Sequence, residues 1–289
     1  MKIINLPSSN NLTMIFNHAV FNGQLVSYDD TKISIFNDAY FSSFGVYEAI
    51  KIDQGRPFYL TEHLHRLIKS ADMIELSLDV DVSTLTQWCH KLISLDTSAS
   101  WSLKIIVLGA TSAHTSSVIA IQPAALTKYS DELYTQGCAA ILYQGERTLP
   151  ACKSLNTLVN YLARQKAVSE GTLEGLLHHN GYLTEGSRTN LFAVQEGQLV
   201  TSPATDVLSG ITRDVILQVM QDTSYSVVEI KLSTDISLYE EFFISSTSMH
   251  VMPVTHINNQ PIGNGQVGPI TKTVMAQFNK HYQQVISGE

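Results

Sequence analysis

The chain has 289 residues, 44% apolar and 15% charged, with 26 acidic side chains against 18 basic ones and a net charge of -8. A chain this long and this apolar can bury one large core or two modest ones, which excludes disorder as its main state. The acidic excess is spread along the sequence rather than gathered in a tail, so no electrostatic case for a nucleic-acid partner arises. The three cysteines, Cys89, Cys138 and Cys152, are widely spaced and form no C-x-x-C pair. That pattern argues against a disulfide framework and against structural zinc, and it suits a reducing compartment. The N-terminal stretch MKIINLPSSNNLTMIF lacks an apolar run long enough for a signal-peptide core, and nowhere do about 18 uncharged apolar residues run together, so a cytoplasmic protein is expected.

In chain order, residues 14 to 60 alternate apolar and polar side chains between turn signals, Asn22-Gly23 and Gln54-Gly55, and predict antiparallel strands. Leu64, Leu67, Ile68 and Ala71 recur at helical spacing and predict an amphipathic helix over Thr61 to Ile74, with a second over Thr84 to Leu95. The apolar runs SLKIIVLGA and SSVIAIQPA read as strands, so the first 120 residues form an α+β unit. Gln122 to Tyr129 has turn chemistry and no period, which places a boundary there: a small domain over 1–122 and a larger one over 123–289. In the second half, residues 154 to 170 put Leu155, Leu158, Val159, Leu162 and Ala163 on one face of a helix. Residues 211 to 222 do the same with Ile211, Val215, Ile216, Val219 and Met220. GLLHHNGYLTEG and TNLFAVQEGQLVTS between them read as hairpins.

Four features of that half carry chemistry. Lys153, at the mouth of an apolar helix in a lightly charged neighbourhood, is a candidate amine nucleophile if it is desolvated. The turn Leu183 to Asn190 presents one carboxylate, Glu185, between two apolar strands; a carboxylate beside a pyridine nitrogen keeps that nitrogen protonated. Ser209-Gly-Ile-Thr-Arg-Asp214 is a glycine turn opening a helix, where backbone N–H groups and the helix dipole favour a phosphate. Phe243 to Met249 is a strand ending in hydroxyl side chains that can donate to the same phosphate.

These four pieces occur in the order and spacing of the class IV aminotransferases, the fold type IV enzymes that use pyridoxal 5'-phosphate (PLP), and nearly the whole chain resembles that family. D-amino acid aminotransferases look most similar, then branched-chain aminotransferases and aminodeoxychorismate lyases. Asn37-Asp-Ala-Tyr-Phe41, Gly45-Val-Tyr-Glu-Ala-Ile50 and Glu62-His-Leu-His-Arg-Leu67 with Ser70-Ala71 extend the resemblance into the first half. It implies an α+β, two-domain fold: a small α/β domain, a larger β-rich domain with flanking helices, and a PLP site drawing on both. Lys153 is implied to form the Schiff base and to move the proton at the substrate α-carbon. Glu185 is implied to pair with the pyridinium nitrogen and Leu208 to pack on the ring. Arg66, the amides of Ile211 and Thr212 with the Thr212 hydroxyl, and Ser246 with Thr247 are implied to hold the phosphate. Tyr47 would line the substrate pocket. A homodimer is implied, the 108 to 115 loop reaching the partner's site.

Two departures bear on substrate. The family's G-D-G is Ser43-Phe44-Gly45 here, bringing a bulky ring near the pocket. D-amino acid enzymes carry R-G-x-x-x-R-x-H where this chain reads Leu108-Gly-Ala-Thr-Ser-Ala-His-Thr115, with no arginine, which counts against a standard D-amino acid aminotransferase. His114 lies near the family histidine and is a candidate substrate contact. His178, His179 and His250 have no metal-ligand spacing, so no metal is expected, and Cys152 reads as packing. The expected reaction is ping-pong transfer of an amino group between an amino acid and a 2-oxo acid. A PLP lyase eliminating pyruvate is the alternative, and a silent PLP-binding protein a further one.

Overall fold

The computed structural model describes residues 17–34, 38–110 and 117–288, which divide into two compact units: the first runs to Lys128 and takes in Lys153–Leu155, and the second is Tyr129–Cys152 with the described residues from Asn156 on. Met14 to Phe16 of the first predicted strand, Asn37 of the N-D-A-Y-F motif, and His114 with most of the 108 to 115 loop lie outside the described residues.

In the first unit, β1 (His18–Phe21) and β2 (Gln24–Ser27) pair antiparallel through Asn22 and Gly23 at φ 45° and 81°, the left-handed pair a two-residue hairpin needs. The short helix α1 (Asp38–Ser42) falls within residues where alternation predicted strands only. β3 (Gly45–Asp53) turns into β4 (Arg56–Pro57) through Gln54-Gly55, again left-handed, as expected. α2 (Leu60–Met73) buries Leu64, Leu67 and Ala71, and α3 (Val82–Ile93) is capped by Asp81, whose carboxylate accepts the Thr84 N–H. Each fully buried leucine on α2 is worth about 2 kcal/mol. β5 (Ser100–Leu108) and β6 (Val118–Ala124) complete a six-stranded sheet ordered β2-β1-β6-β5-β3-β4. β6 runs into the stretch read as a turn, where Pro123 faces Leu103; pairing with β1 stops at Ile121, so the missing proline N–H leaves no ladder bond unmade on that side.

In the second unit follow α4 (Asp131–Gln136), β7 (Cys138–Gln144), α5 (Leu158–Ser169), β8 (Glu174–His179), β9 (Tyr182–Gly186), β10 (Asn190–Gln195) and β11 (Gln198–Thr201). Then come α6 (Ile211–Met220), β12 (Val227–Glu229), β13 (Leu232–Ser233), β14 (Glu241–Ser246), β15 (His250–Ile257), β16 (Gln260–Pro261) and α7 (Pro269–Ser287). All ten strands join one sheet, in which β10-β14-β15-β7-β8-β9 closes on itself where Glu185 pairs with Asn190. The predicted hairpins β8–β9 and β10–β11 turn at Asn180-Gly181 and Glu196-Gly197, all four residues left-handed.

Two expectations about residues 154 to 170 are corrected. α5 starts at Leu158, and the residues before it are not helical. Its buried residues are Ala163 and Ala167, whereas Leu158 and Leu162 are 65% and 44% exposed. The reason is close approach: a Cβ on Gly175 of β8 would stand 2.6 Å from the Ala163 carbonyl oxygen, so only small side chains fit between helix and strand. The cysteines Cys89, Cys138 and Cys152 are buried, and none is in a disulfide among the described residues.

Candidate active site

Lys153 sits not on a helix but on an extended segment that belongs to the first unit. The Tyr47 N–H donates to the Lys153 carbonyl at 3.0 Å, the Leu155 N–H donates to the Gly45 carbonyl at 2.9 Å, and Val46 faces Ser154 as an antiparallel bridge. The Lys153 N–H donates to Ser70 Oγ at 3.1 Å, and its Nζ lies 4.7 Å from the centre of the Tyr47 ring, within cation–π range. The structure thus brings Lys153 and Tyr47 together.

Arg66, expected at a phosphate, has a partner the sequence did not announce. Its Nε donates to Glu48 Oε1 at 2.7 Å and one Nη to Glu48 Oε2 at 2.8 Å, while His63 Nδ1 stands 2.8 Å from the same Oε2. Glu48 is wholly buried; burial alone would raise its carboxyl, but Arg66 and His63 outweigh that and hold it well below the usual carboxylate range. Burial pushes the His63 imidazole below its ordinary value, with Glu48 opposing. His63 Nε2, also buried, has no hydrogen-bond partner among the described residues. A signal for both existed: Glu48 shares the buried parity of β3 with Val46, Ile50 and Ile52, and His63 lies among the apolar positions of α2.

In the second unit, Glu185 lies one residue before the end of β9 with both oxygens engaged. Oε1 accepts from Arg147 Nη1 at 3.3 Å and Oε2 from the Leu208 N–H at 3.2 Å, so two expected residues, Glu185 and Leu208, are in contact. Buried Glu174 pins the turn beyond, accepting from the backbone N–H of Ser187 at 3.2 Å, from the Ser187 hydroxyl, and from the Thr189 hydroxyl at 3.2 Å. Asn190 connects three elements. It pairs with Glu185 on β9 and Ser245 on β14, and its side-chain amide donates to the Leu208 carbonyl at 2.7 Å. A Cβ on Gly210 would collide with Asn190 Oδ1, so only glycine lets the 208 to 210 turn descend there.

That turn opens α6, whose N-terminal residues Ile211 and Thr212 follow the Gly210 cap with no side chain capping them, leaving the helix end suited to an anion. Ser246 and Thr247 are half-buried at the end of β14; Ser246 Oγ accepts the Met249 N–H at 3.3 Å, and the buried Ser245 hydroxyl beside it has no partner among the described residues. Of the first departure, Ser43 takes φ 51° and the Phe44 ring covers Gly109, where any Cβ would collide with it. Among the described residues no His, Cys, Asp or Glu cluster could hold a metal, and no helix is long and apolar enough to cross a membrane.

Residues 45–257 match the family model for amino-transferase class IV. The chain is 32% identical over 272 residues to a D-alanine aminotransferase of Staphylococcus aureus (strain N315), covering 91% of this chain and 96% of that one. It is likewise 32% identical over 264 residues to a D-alanine aminotransferase of Bacillus licheniformis, covering 88% and 93%. Its fold superposes on the branched-chain amino acid aminotransferase of Escherichia coli with a TM-score of 0.83 at 28% identity, over 90% of this chain and 92% of that one. The branched-chain aminotransferase of the archaeon Thermoproteus uzoniensis, solved with norvaline, shares the fold at a TM-score of 0.83 and 21% identity, over 92% and 94%. The likenesses to the D-alanine and Escherichia coli enzymes favour amino transfer over the lyase alternative. The expected α+β, β-rich fold type IV architecture is the one observed, and the chain belongs to the class IV aminotransferases.

Proposed function

We propose that this aminotransferase works with PLP held by Lys153 and passes an amino group from an amino acid to a 2-oxo acid. Residues of the second unit fit that cofactor. The uncapped start of α6 and the hydroxyls at the end of β14 suit a phosphate, and the buried carboxylate of Glu185 suits a protonated ring nitrogen. Bound PLP supplies an electrophilic carbon for the amino group and a ring that takes up the electron pair left at the substrate α-carbon.

In this reading Lys153 Nζ attaches the cofactor and, once released, takes the proton from the substrate α-carbon and returns it. Glu185 keeps the ring nitrogen protonated, and Leu208 packs on the ring. The amides of Ile211 and Thr212, the Thr212 hydroxyl, Ser246, Thr247 and Arg66 hold the phosphate, Arg66 being steadied by Glu48. Tyr47 lines the substrate side beside the lysine, and His114 is the candidate contact for the substrate carboxylate. The donor is a small amino acid, D-alanine first, since relatives covering nine-tenths of the chain carry that name. Its carboxylate is held without an arginine from residues 108 to 115, because that stretch has none. The resemblance also supports a homodimer in the cytoplasm.

The observation that carries the reading is Lys153 itself, anchored on Tyr47 and Ser70 with its amine over an aromatic face. The test is an absorbance spectrum of wild type and Lys153→Ala with PLP, before and after adding D- and L-amino acids. The wild type is expected to show a visible band that one amino acid discharges, and the variant to lack it. A band of equal strength in the variant would remove Lys153 from its role, and no band in either would remove the cofactor.

A further inference from the structure

We propose that Arg147 is a positioning residue that sets Glu185 for the cofactor and braces the segment leading to Lys153, an inference that rests on the PLP reading above. Arg147 follows β7, and its side chain is 6% exposed against 7% for that of Glu185. One guanidinium serves three acceptors. Nη1 donates to Glu185 Oε1 at 3.3 Å and to the Pro150 carbonyl at 2.8 Å, and Nη2 donates to the Cys152 carbonyl, one residue before Lys153. The Leu208 N–H fixes the other Glu185 oxygen.

A guanidinium is planar, permanently charged and presents its donors in a fixed fork, so it can hold a carboxylate and two carbonyls together; an ammonium, a point charge on a flexible stem, cannot reproduce that spread. Taking both ions out of water is costly, and the pair survives because each charge is met. Without the arginine, the buried carboxylate gains stability by taking a proton or turning away. In either case it offers less negative charge to a ring nitrogen. The carbonyls of Pro150 and Cys152 lose their donor in the same step, which loosens the approach to the lysine. A role confined to folding the 147 to 152 loop predicts otherwise: its loss would weaken cofactor binding by one factor, whatever residue stands at 185.

The experiment is therefore a double-mutant cycle read as the PLP dissociation constant, followed by the visible absorbance of bound cofactor. It compares wild type, Arg147→Gln, Arg147→Lys, Glu185→Gln and the paired variants. Arg147→Gln is expected to weaken PLP about ten-fold or more, Arg147→Lys to recover part of that, and Arg147→Gln on Glu185→Gln to change it less than about three-fold. The same factor in both backgrounds, or no effect of Arg147→Gln, overturns the proposal while leaving the cofactor reading intact. Wild type that binds no PLP overturns the cofactor reading first and this one with it. Should Arg147→Gln fail to fold, Arg147→Lys through the same cycle decides, a coupling below about two-fold counting against the proposal.

Discussion

Glu48 gathers two basic side chains where little water reaches, so stability depends on its charge and on theirs. Replacing it by alanine leaves Arg66 and buried His63 without their carboxylate, which costs about 3 kcal/mol or more. The lowered Glu48 carboxyl contributes stability that is present above its ordinary value of 4.5 and lost as acid drives the pH down toward its folded value. Lowered His63 acts the same way from a higher starting point: above 6.5 its contribution is complete, and below 6.5 the unfolded chain takes the proton more readily than the folded one. Urea midpoints of wild type should therefore fall between about pH 7 and pH 5, and those of His63→Asn should fall less. Parallel profiles for the two proteins would refute the assignment. Glu48 was legible in principle as an acid on the buried parity of a strand, but its partners were not. Arg66 lies eighteen residues away, and alternation says nothing about which helix covers a strand.

Elements whose turns state their geometry were readable from the sequence, and those decided by steric fit were not. Asn22-Gly23, Gln54-Gly55 and Asn180-Gly181 need left-handed backbone, and each forms the hairpin it predicts. α5 misled because apolar periodicity ranks leucine above alanine, whereas the space against β8 admits only alanine. That explanation makes Gly175→Ala destabilising by about 1–3 kcal/mol, since the added Cβ meets backbone that cannot turn aside. A thermal midpoint unchanged from wild type would mean helix and strand can part at little cost. At the start of α6 the obstacle is different, because Asn190 Oδ1 is a side-chain atom that can be removed. Gly210→Ala should weaken PLP binding about ten-fold, and adding Asn190→Ala should not restore it, because the Leu208 carbonyl then loses its donor. Full recovery in the double variant would reduce Asn190 to an obstacle.

Across the molecule, the path of the chain interleaves the two units. It enters the second at Tyr129, leaves after Cys152, lends Lys153–Leu155 to the first and returns at Asn156. Of those three residues Lys153 and Leu155 bond to Tyr47 and Gly45 on β3, while the preceding carbonyl of Cys152 is held by Arg147 within the second unit. Unfolding the second unit frees the covalent neighbours of the lent segment on both sides, the Cys152 carbonyl included; unfolding the first leaves the segment with no strand to pair with. The two units are therefore expected to unfold in one urea transition, with coincident curves by far-ultraviolet and near-ultraviolet circular dichroism. PLP binding only the folded chain should move that single midpoint upward, by about 2.7 kcal/mol at a hundred times its dissociation constant. Breaking the bridge is the sharper test. Ser70→Ala removes the acceptor for the Lys153 N–H, and it should lower stability by about 1 kcal/mol while keeping the two curves coincident. Two separated transitions in wild type would show that the lent segment does not couple the units, and that each core carries its own stability.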